Sequence, residues 1–432
     1  MKLIGIDKIL GIAVLGSLLA IAGCGPDHHH GGGVVKARPP SKTSPGSGLF
    51  AVDCSRNRAY VPLDTLGAGG NGQVSVINLA ANPDTTDPRI KVIALTHPDI
   101  PSGTALDNDH NLILVVSGGF VDVINESNNT LVAGSPFAIP GGSLVGVFGQ
   151  ILYNPTTKLA ILNVVSPTAG FLTFDPVAHT FGTVIPANYA ETFSLNSTTN
   201  VVMDASDSSP FNTIDAIDIA DGRACVLTDT NLTGDQDGSS TDSSTNITII
   251  SNEDGTASVL NLNGSAFNPP AVSTTPCTLD ETNAPNSVLV SGLPSETAGS
   301  AVNGTTHQAF LIEDGNPGVT LIQLPSSPVA GQIVAGDLGT PSISSIPNDP
   351  LDNGWATQGD PYAVAIGECN NKGYAIDDTF NFLVQVDLPT LLSTPANIST
   401  ALPAGKCAGT TSTTFKCDNG AGTKFFPLPG VI

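Results

Sequence analysis

From Gly48 onward, short apolar runs alternate with Asp- or Asn-led turns, and no stretch sustains a helical period with caps. The first copy runs from Leu49 to Leu79: Ala51-Val52-Asp53, the turn Cys54-Ser55-Arg56-Asn57, the run Arg58-Ala59-Tyr60-Val61, a Gly-rich loop, then Val74-Ser75-Val76-Ile77-Asn78-Leu79. A second copy follows from Thr104 to Asn125, with its turn at Asn108-Asp109-His110-Asn111. Each unit predicts three or four short antiparallel strands.

Aligning on the turn acid extends this register. Asp53, Asp107, Asn154, Asp218, Asn303 and Glu368 each stand seven residues before the centre of a second strand, at Tyr60, Leu114, Ile161, Cys225, Phe310 and Ala375. Third strands are expected at Val74–Ile77, Val121–Ile124, Phe171–Phe174, Ile247–Ile250, Val319–Ile322 and Leu383–Val386. The segment Thr192 to Asp204 fits the turn pattern but lies too close to Asp218 for a full sheet between them. It reads as an outer strand pair of the third unit or as a truncated blade. The expectation is therefore all-β: one β-propeller over residues 48-432, six blades favoured and seven possible, with a β-helix or paired sandwich as the competing architecture. The copies RNRAYV...VSVINL and DHNLILV...VDVINESNNTLV resemble the YVTN-type β-propeller repeat, although its namesake tetrad is nowhere intact. The resemblance implies a fold and little about function.

Composition agrees with short strands and many turns: 46 Gly, 33 Pro and only 12% charged residues. A formal net charge of -23 argues against nucleic acid and anionic membrane surfaces as partners. The N-terminus reads as an export signal, with Lys2 and Lys8 ahead of an apolar run from Ile9 to Ala22 and small residues before Cys24. Ile21-Ala22-Gly23-Cys24 resembles the lipobox of bacterial lipoproteins. That resemblance implies cleavage after residue 23, a lipid on Cys24 and attachment to a bilayer. Gly25, where inner-membrane retention commonly uses Asp, favours the outer membrane or cell surface. Residues 24-47 are Gly/Pro/Ser-rich and predict a flexible tether. His28-His29-His30 within it is read as a hydrophilic spacer or a loose transition-metal ligand set.

Cys54, Cys225, Cys277, Cys369, Cys407 and Cys417 remain after the lipidated cysteine, an even set in an exported chain that permits three disulfides in 15 connectivities. Cys407 with Cys417 is the pair that spacing favours, and Cys225 could instead be a buried thiol. Candidate cation ligands are Asp64, Asp229 and Asp314, read as equivalent positions beyond the second strands, with Glu313, Asp377 and Asp378 beside them. The segment Asp229 to Asn246, with Asn231, Asp235, Asp237 and Asp242, has oxygen spacing reminiscent of a Ca²⁺ loop but is not an EF-hand. A solvated acidic rim and a polar loop compete with these readings. His110 and His307 fall in first turns, where polar residues serve the backbone. No GxSxG motif occurs, and a single Trp, Trp355, argues against an aromatic groove for stacking carbohydrate.

Three functions remain open. The favoured one is a membrane-anchored, extracytoplasmic binding or scaffold module with a protein or small-molecule partner at one propeller face. The others are a Ca²⁺-dependent lactonase-like hydrolase and a structural component of an envelope or extracellular electron-transfer assembly. A hydrolase would need its carboxylates to converge on the disc axis.

Overall fold

The computed structural model describes residues 49–83, 87–146, 149–188, 192–205, 210–262, 286–293, 297–313, 318–326, 344–345, 361–377, 382–389 and 423–428. The chain divides into Met1–Gly33 and Val34–Ile432, and every described residue lies in the second unit. Cys24, the His28 to His30 run and the tether therefore lie outside the described residues.

Seven antiparallel sheets form, each from one contiguous stretch of chain. Blade 1 contains β1 (Ala51–Asp53), β2 (Arg58–Leu63), β3 (Gln73–Asn78) and β4 (Arg89–Ala94). Blade 2 contains β5 (Gly103–Asp107), β6 (Leu112–Ser117), β7 (Phe120–Asn125) and the short β8 (Thr130–Leu131) and β9 (Phe137–Ala138). Blade 3 contains β10 (Ile151–Asn154), β11 (Leu159–Val164), β12 (Gly170–Asp175), β13 (Thr180–Phe181) and β14 (Ile185–Pro186). Blade 4 contains β15 (Thr192–Asn196), β16 (Val201–Ala205), β17 (Thr213–Asp218) and β18 (Arg223–Thr228). Blade 5 contains β19 (Gln236–Asp242), β20 (Ile247–Asn252), β21 (Thr256–Asn261) and β22 (Ser287–Val290). Blade 6 contains β23 (Thr297–Asn303), β24 (Gln308–Glu313), β25 (Gly318–Gln323) and β26 (Ser344–Ser345), and blade 7 contains β27 (Pro361–Gly367), β28 (Lys372–Asp377), β29 (Phe382–Asp387) and β30 (Thr423–Pro427). The inner strands β1, β5, β10, β15, β19, β23 and β27 touch in succession, and β27 touches β1. The ring is closed, and the chain is a seven-bladed β-propeller.

Six blades were the favoured expectation, and two features of the sequence misled it. The hairpin β17-β18 carries the same apolar run, Asp-led turn and apolar run as a first hairpin, because any strand pair buried on both faces needs that pattern. Asp218 therefore anchors the outer half of blade 4, and Thr192 to Asp204 supplies its inner half. Conversely β19, Gln-Asp-Gly-Ser-Ser-Thr-Asp, holds no large apolar residue and reads as a loop, yet it is the inner strand of blade 5. Ile247–Ile250 consequently lies in a second strand rather than a third. In blade 7 the anchor is Gly367, one residue before Glu368, so Tyr374 takes the place that Tyr60 has in blade 1.

Strands contribute alternate side chains to the two seams that flank their blade. Between blades 1 and 7, Phe50, Val61 and Ile77 meet Ala363, Tyr374 and Phe426; between blades 1 and 2, Tyr60, Val74 and Val76 meet Ile113, Val115 and Ile124. Each of the seven seams has such an apolar cluster. Burial on both faces explains why the strands read as continuous apolar runs, and it is the main stabilising contribution of the fold.

Candidate functional site: the central channel and the first-turn face

The turns that join first to second strands share one face of the disc. In six blades an Asp or Asn ends the inner strand, and its Oδ1 accepts backbone N–H bonds two and three residues on: Asp53 from Ser55 and Arg56, Asp107 from Asp109 and His110, Asn154 from Thr156 and Thr157. Asn196, Asp242 and Asn303 repeat this. The fifth turn residue is left-handed in all seven blades, at Asn57, Asn111, Lys158, Asn200, Asn246, His307 and Asn371, with φ between 50° and 61°. Asn tolerates that conformation better than most residues, which accounts for its holding five of these places.

These left-handed residues also clasp the preceding blade. Asn154 Nδ2 donates to Asn200 Oδ1 (2.8 Å), Asn196 Nδ2 to Asn246 Oδ1 (2.5 Å), and Asn303 Nδ2 to Asn371 Oδ1 (3.0 Å). His307 Nδ1 meets Asp242 Oδ2 at 2.7 Å, and Lys158 Nζ donates to Asp109 Oδ2 at 2.8 Å. Across blades 1 and 2, Arg56 bridges Asp53, Asn111 and Glu126. Burial raises Asp53, but its bonds from Ser55 and Arg56 outweigh that and hold it down at about 2; burial and the Asp53 charge push Glu126 up to about 7. At the last seam a disulfide, Cys54–Cys369, takes the place of the clasp. His110 faces Asp107 of its own turn at 2.8 Å.

The expected rim carboxylates do not share one position. Asp64 follows β2 in blade 1, whereas Asp229 follows the outermost strand of blade 4 and is buried, its Oδ1 accepting from Asn231 N (2.7 Å) and Ser287 Oγ (2.8 Å). Asp235 precedes β19 and Asp237 lies within it at a bulge, so the proposed cation loop is in large part a strand. Asp314, Asp378 and Trp355 lie outside the described residues; Asp377 ends β28, and Glu313 ends β24 fully buried, raised by burial to about 7. Among the described residues no three His, Cys, Asp or Glu side chains are grouped to hold a metal ion. Cys225 is disulfide-bonded, which overturns the buried-thiol reading, while Cys277, Cys407 and Cys417 lie outside the described residues.

The axis holds a cavity of about 290 Å³ lined by inner-strand residues of all seven blades. At its first-turn mouth stand Val52, Leu106, Tyr153, Leu195, Thr241, Val302 and Ile366, each partly exposed. One level deeper the residues are small, Ala51, Ala105, Ser194, Ser240, Ala301 and Ala365, with Leu152 as the exception. Among the described residues no Asp, Glu, His, Lys or Arg lines it, and the Tyr153 hydroxyl turns away to Asp109 (2.9 Å). Sequence reading missed Ser239, Ser240 and Thr241 here. The signal that reveals them is the turn after β19: Asp242-Ser-Ser-Thr-Asn246 repeats Asn196-Ser-Thr-Thr-Asn200.

Nearer the opposite face, His97 Nε2 contacts both Asp122 Oδ2 (2.7 Å) and Ser117 Oγ (3.2 Å). Asp99 Oδ2 lies 3.5 Å from Nδ1, which makes no hydrogen bond, and Ser117 is fully buried and shares Nε2 with Asp122, so no serine relay is assembled here. The cluster reads as a buried polar joint. Compared with known proteins, the chain matches no family model and no curated sequence. Among the described residues no helix is long and apolar enough to cross a membrane.

Proposed function

We propose that the chain is a lipid-anchored, extracytoplasmic binding module that offers its propeller to a partner and performs no reaction itself. The observation that carries this reading is the channel lining: inner strands of all seven blades contribute to it, and among the described residues they bring no carboxylate, imidazole, amine or guanidinium. Lewis-acid hydrolysis at the axis calls for carboxylates there, and the first-turn acids that stand nearest are engaged in turns and clasps. The anchor rests on the Ile21-Ala22-Gly23-Cys24 run after the apolar segment.

The test has two arms. Cys24→Ala, or globomycin treatment, is expected to leave an unprocessed precursor that takes up no labelled palmitate; normal processing and release of Cys24→Ala would defeat the anchor. Purified protein with added Ca²⁺ is expected to leave a panel of lactones and esters unhydrolysed, and turnover above background would defeat the non-catalytic reading.

A further inference from the structure

We propose that the central channel is the binding site for a small uncharged polyol, of cyclitol or hexose size. The inference rests on the binding-module reading and adds the place and the ligand class.

Each inner strand ends its sheet, so seven strand edges face the axis, and of their main-chain donors Ala51 N and Phe193 N are held by side chains of the neighbouring blade. The side chains between them are divided. One wall, on β15 and β19, carries the hydroxyls of Ser194, Ser239, Ser240 and Thr241; the wall across the axis, on β1 and β27, is apolar with Phe50 and Val364. The first strands of blades 1 and 7 are apolar at the three channel-facing levels, as in Phe50-Ala51-Val52, and those of blades 2 and 4 carry one hydroxyl each, at Thr104 and Ser194, so three hydroxyls in succession on β19 depart from the repeat.

These hydroxyls are not used up by one another. Ser194, Thr241 and Thr248 are joined by two hydrogen bonds of 2.8 Å, which consume two of their three O–H protons. Ser240 donates to Ser300 (2.9 Å) and Ser239 to the Met203 carbonyl (2.9 Å), so these two hydroxyls offer acceptor oxygens to the channel. Beside them Gln150 is fully buried, with Oε1 accepting from Phe193 N (2.7 Å) and Nε2 without a hydrogen-bond partner. Buried donors need acceptors, and a polyol brings several hydroxyl oxygens together with C–H surface for the apolar wall. An anion would enter a protein of net charge -23 with no cationic side chain among the described lining residues to receive it, and a cation would find no carboxylate among them.

Titration of the full chain with myo-inositol, followed by calorimetry and by ligand-observed NMR, tests this, with glucuronate as the charged control. Saturable binding is expected, with glucuronate at least about tenfold weaker. Ser194→Ala is expected to weaken myo-inositol by roughly tenfold, the loss of about one hydrogen bond. Ala365→Phe, at the small-residue level, is expected to abolish binding while the fold, checked by circular dichroism, is retained. No saturable binding of myo-inositol, glucose or sorbitol would overturn the proposal, as would binding indifferent to Ser194→Ala, which keeps the test decisive should Ala365→Phe fail to fold. Either failure leaves the palmitate and lactone results, and hence the broader reading, standing.

Discussion

Six seams of this propeller and the seventh are held by different chemistry. From blade 1 to blade 7, each first turn reaches the next by side-chain hydrogen bonds or ion pairs, such as Asn154 to Asn200 and Asp242 to His307. Between blade 7 and blade 1 the corresponding turns are joined by Cys54–Cys369, across a sequence separation of 315. Consecutive blades are already neighbours along the chain, so their seams require little loop closure. The last seam joins the two ends of a ring whose blades are each contiguous, with no strand exchanged between first and last. Loop-closure entropy is concentrated there, and a covalent link acts on that term.

Removing the link should have the largest effect. Cys54→Ser with Cys369→Ser is expected to destabilise the protein by up to about 5 kcal/mol in the chain-entropy picture, and to admit proteases at the blade 7 to blade 1 seam first. Denaturant melts and mapping of the first cleavage products check this; unchanged stability, or first cuts at another seam, would show that the apolar cluster of Phe50, Tyr374 and Phe426 closes the ring unaided.

An ordinary clasp should matter less. Asp242→Ala removes the cap on Ser244 and Thr245 and the partner of His307, and is expected to cost about 2 kcal/mol. A loss equal to that of the cysteine pair would erase the distinction between the seams.

The smallest effect concerns the charged seam between blades 1 and 2. Glu126 is raised to about 7 in the folded protein, so the folded state binds more protons than the unfolded chain between about pH 4.5 and 7. Stability should therefore fall as pH rises through that window and level off above it. Asp53, held at about 2, acts in the opposite sense: its contribution is present above about pH 4 and is lost as pH falls toward 2. Glu126→Gln should flatten the upper part of the melting-temperature profile, with Glu313, also raised to about 7, and Asp122 and Asp215, both raised by burial, contributing to the slope that remains. An unchanged profile in the double variant Glu126→Gln, Glu313→Gln would remove this account.

Much of the architecture was legible in the residues. The turn formula, Asp or Asn followed four residues later by Asn, Lys or His, marks the first hairpins because an Asx side chain and a left-handed residue are local requirements of that turn. Apolar runs such as Leu112 to Val116 marked strands buried on both faces. Blade count was not legible, because strand pairing across β17-β18 uses the same local pattern as a first hairpin and only position in the ring separates inner from outer. β19 was hidden for the opposite reason: its place between two close blades favours Gly and Ser over large apolar residues, and a Cβ added at Gly238 would lie a tight 3.2 Å from the Gly299 Cα.

An all-β repeat and its turns follow from the residue order alone, since these depend on contacts within a few residues or on composition. Which cysteine meets Cys54, that Asp229 is a buried connector, and that a channel with a hydroxyl wall runs down the axis were settled in three dimensions. Those outcomes depend on where residues far apart in the chain arrive once seven sheets close into a ring.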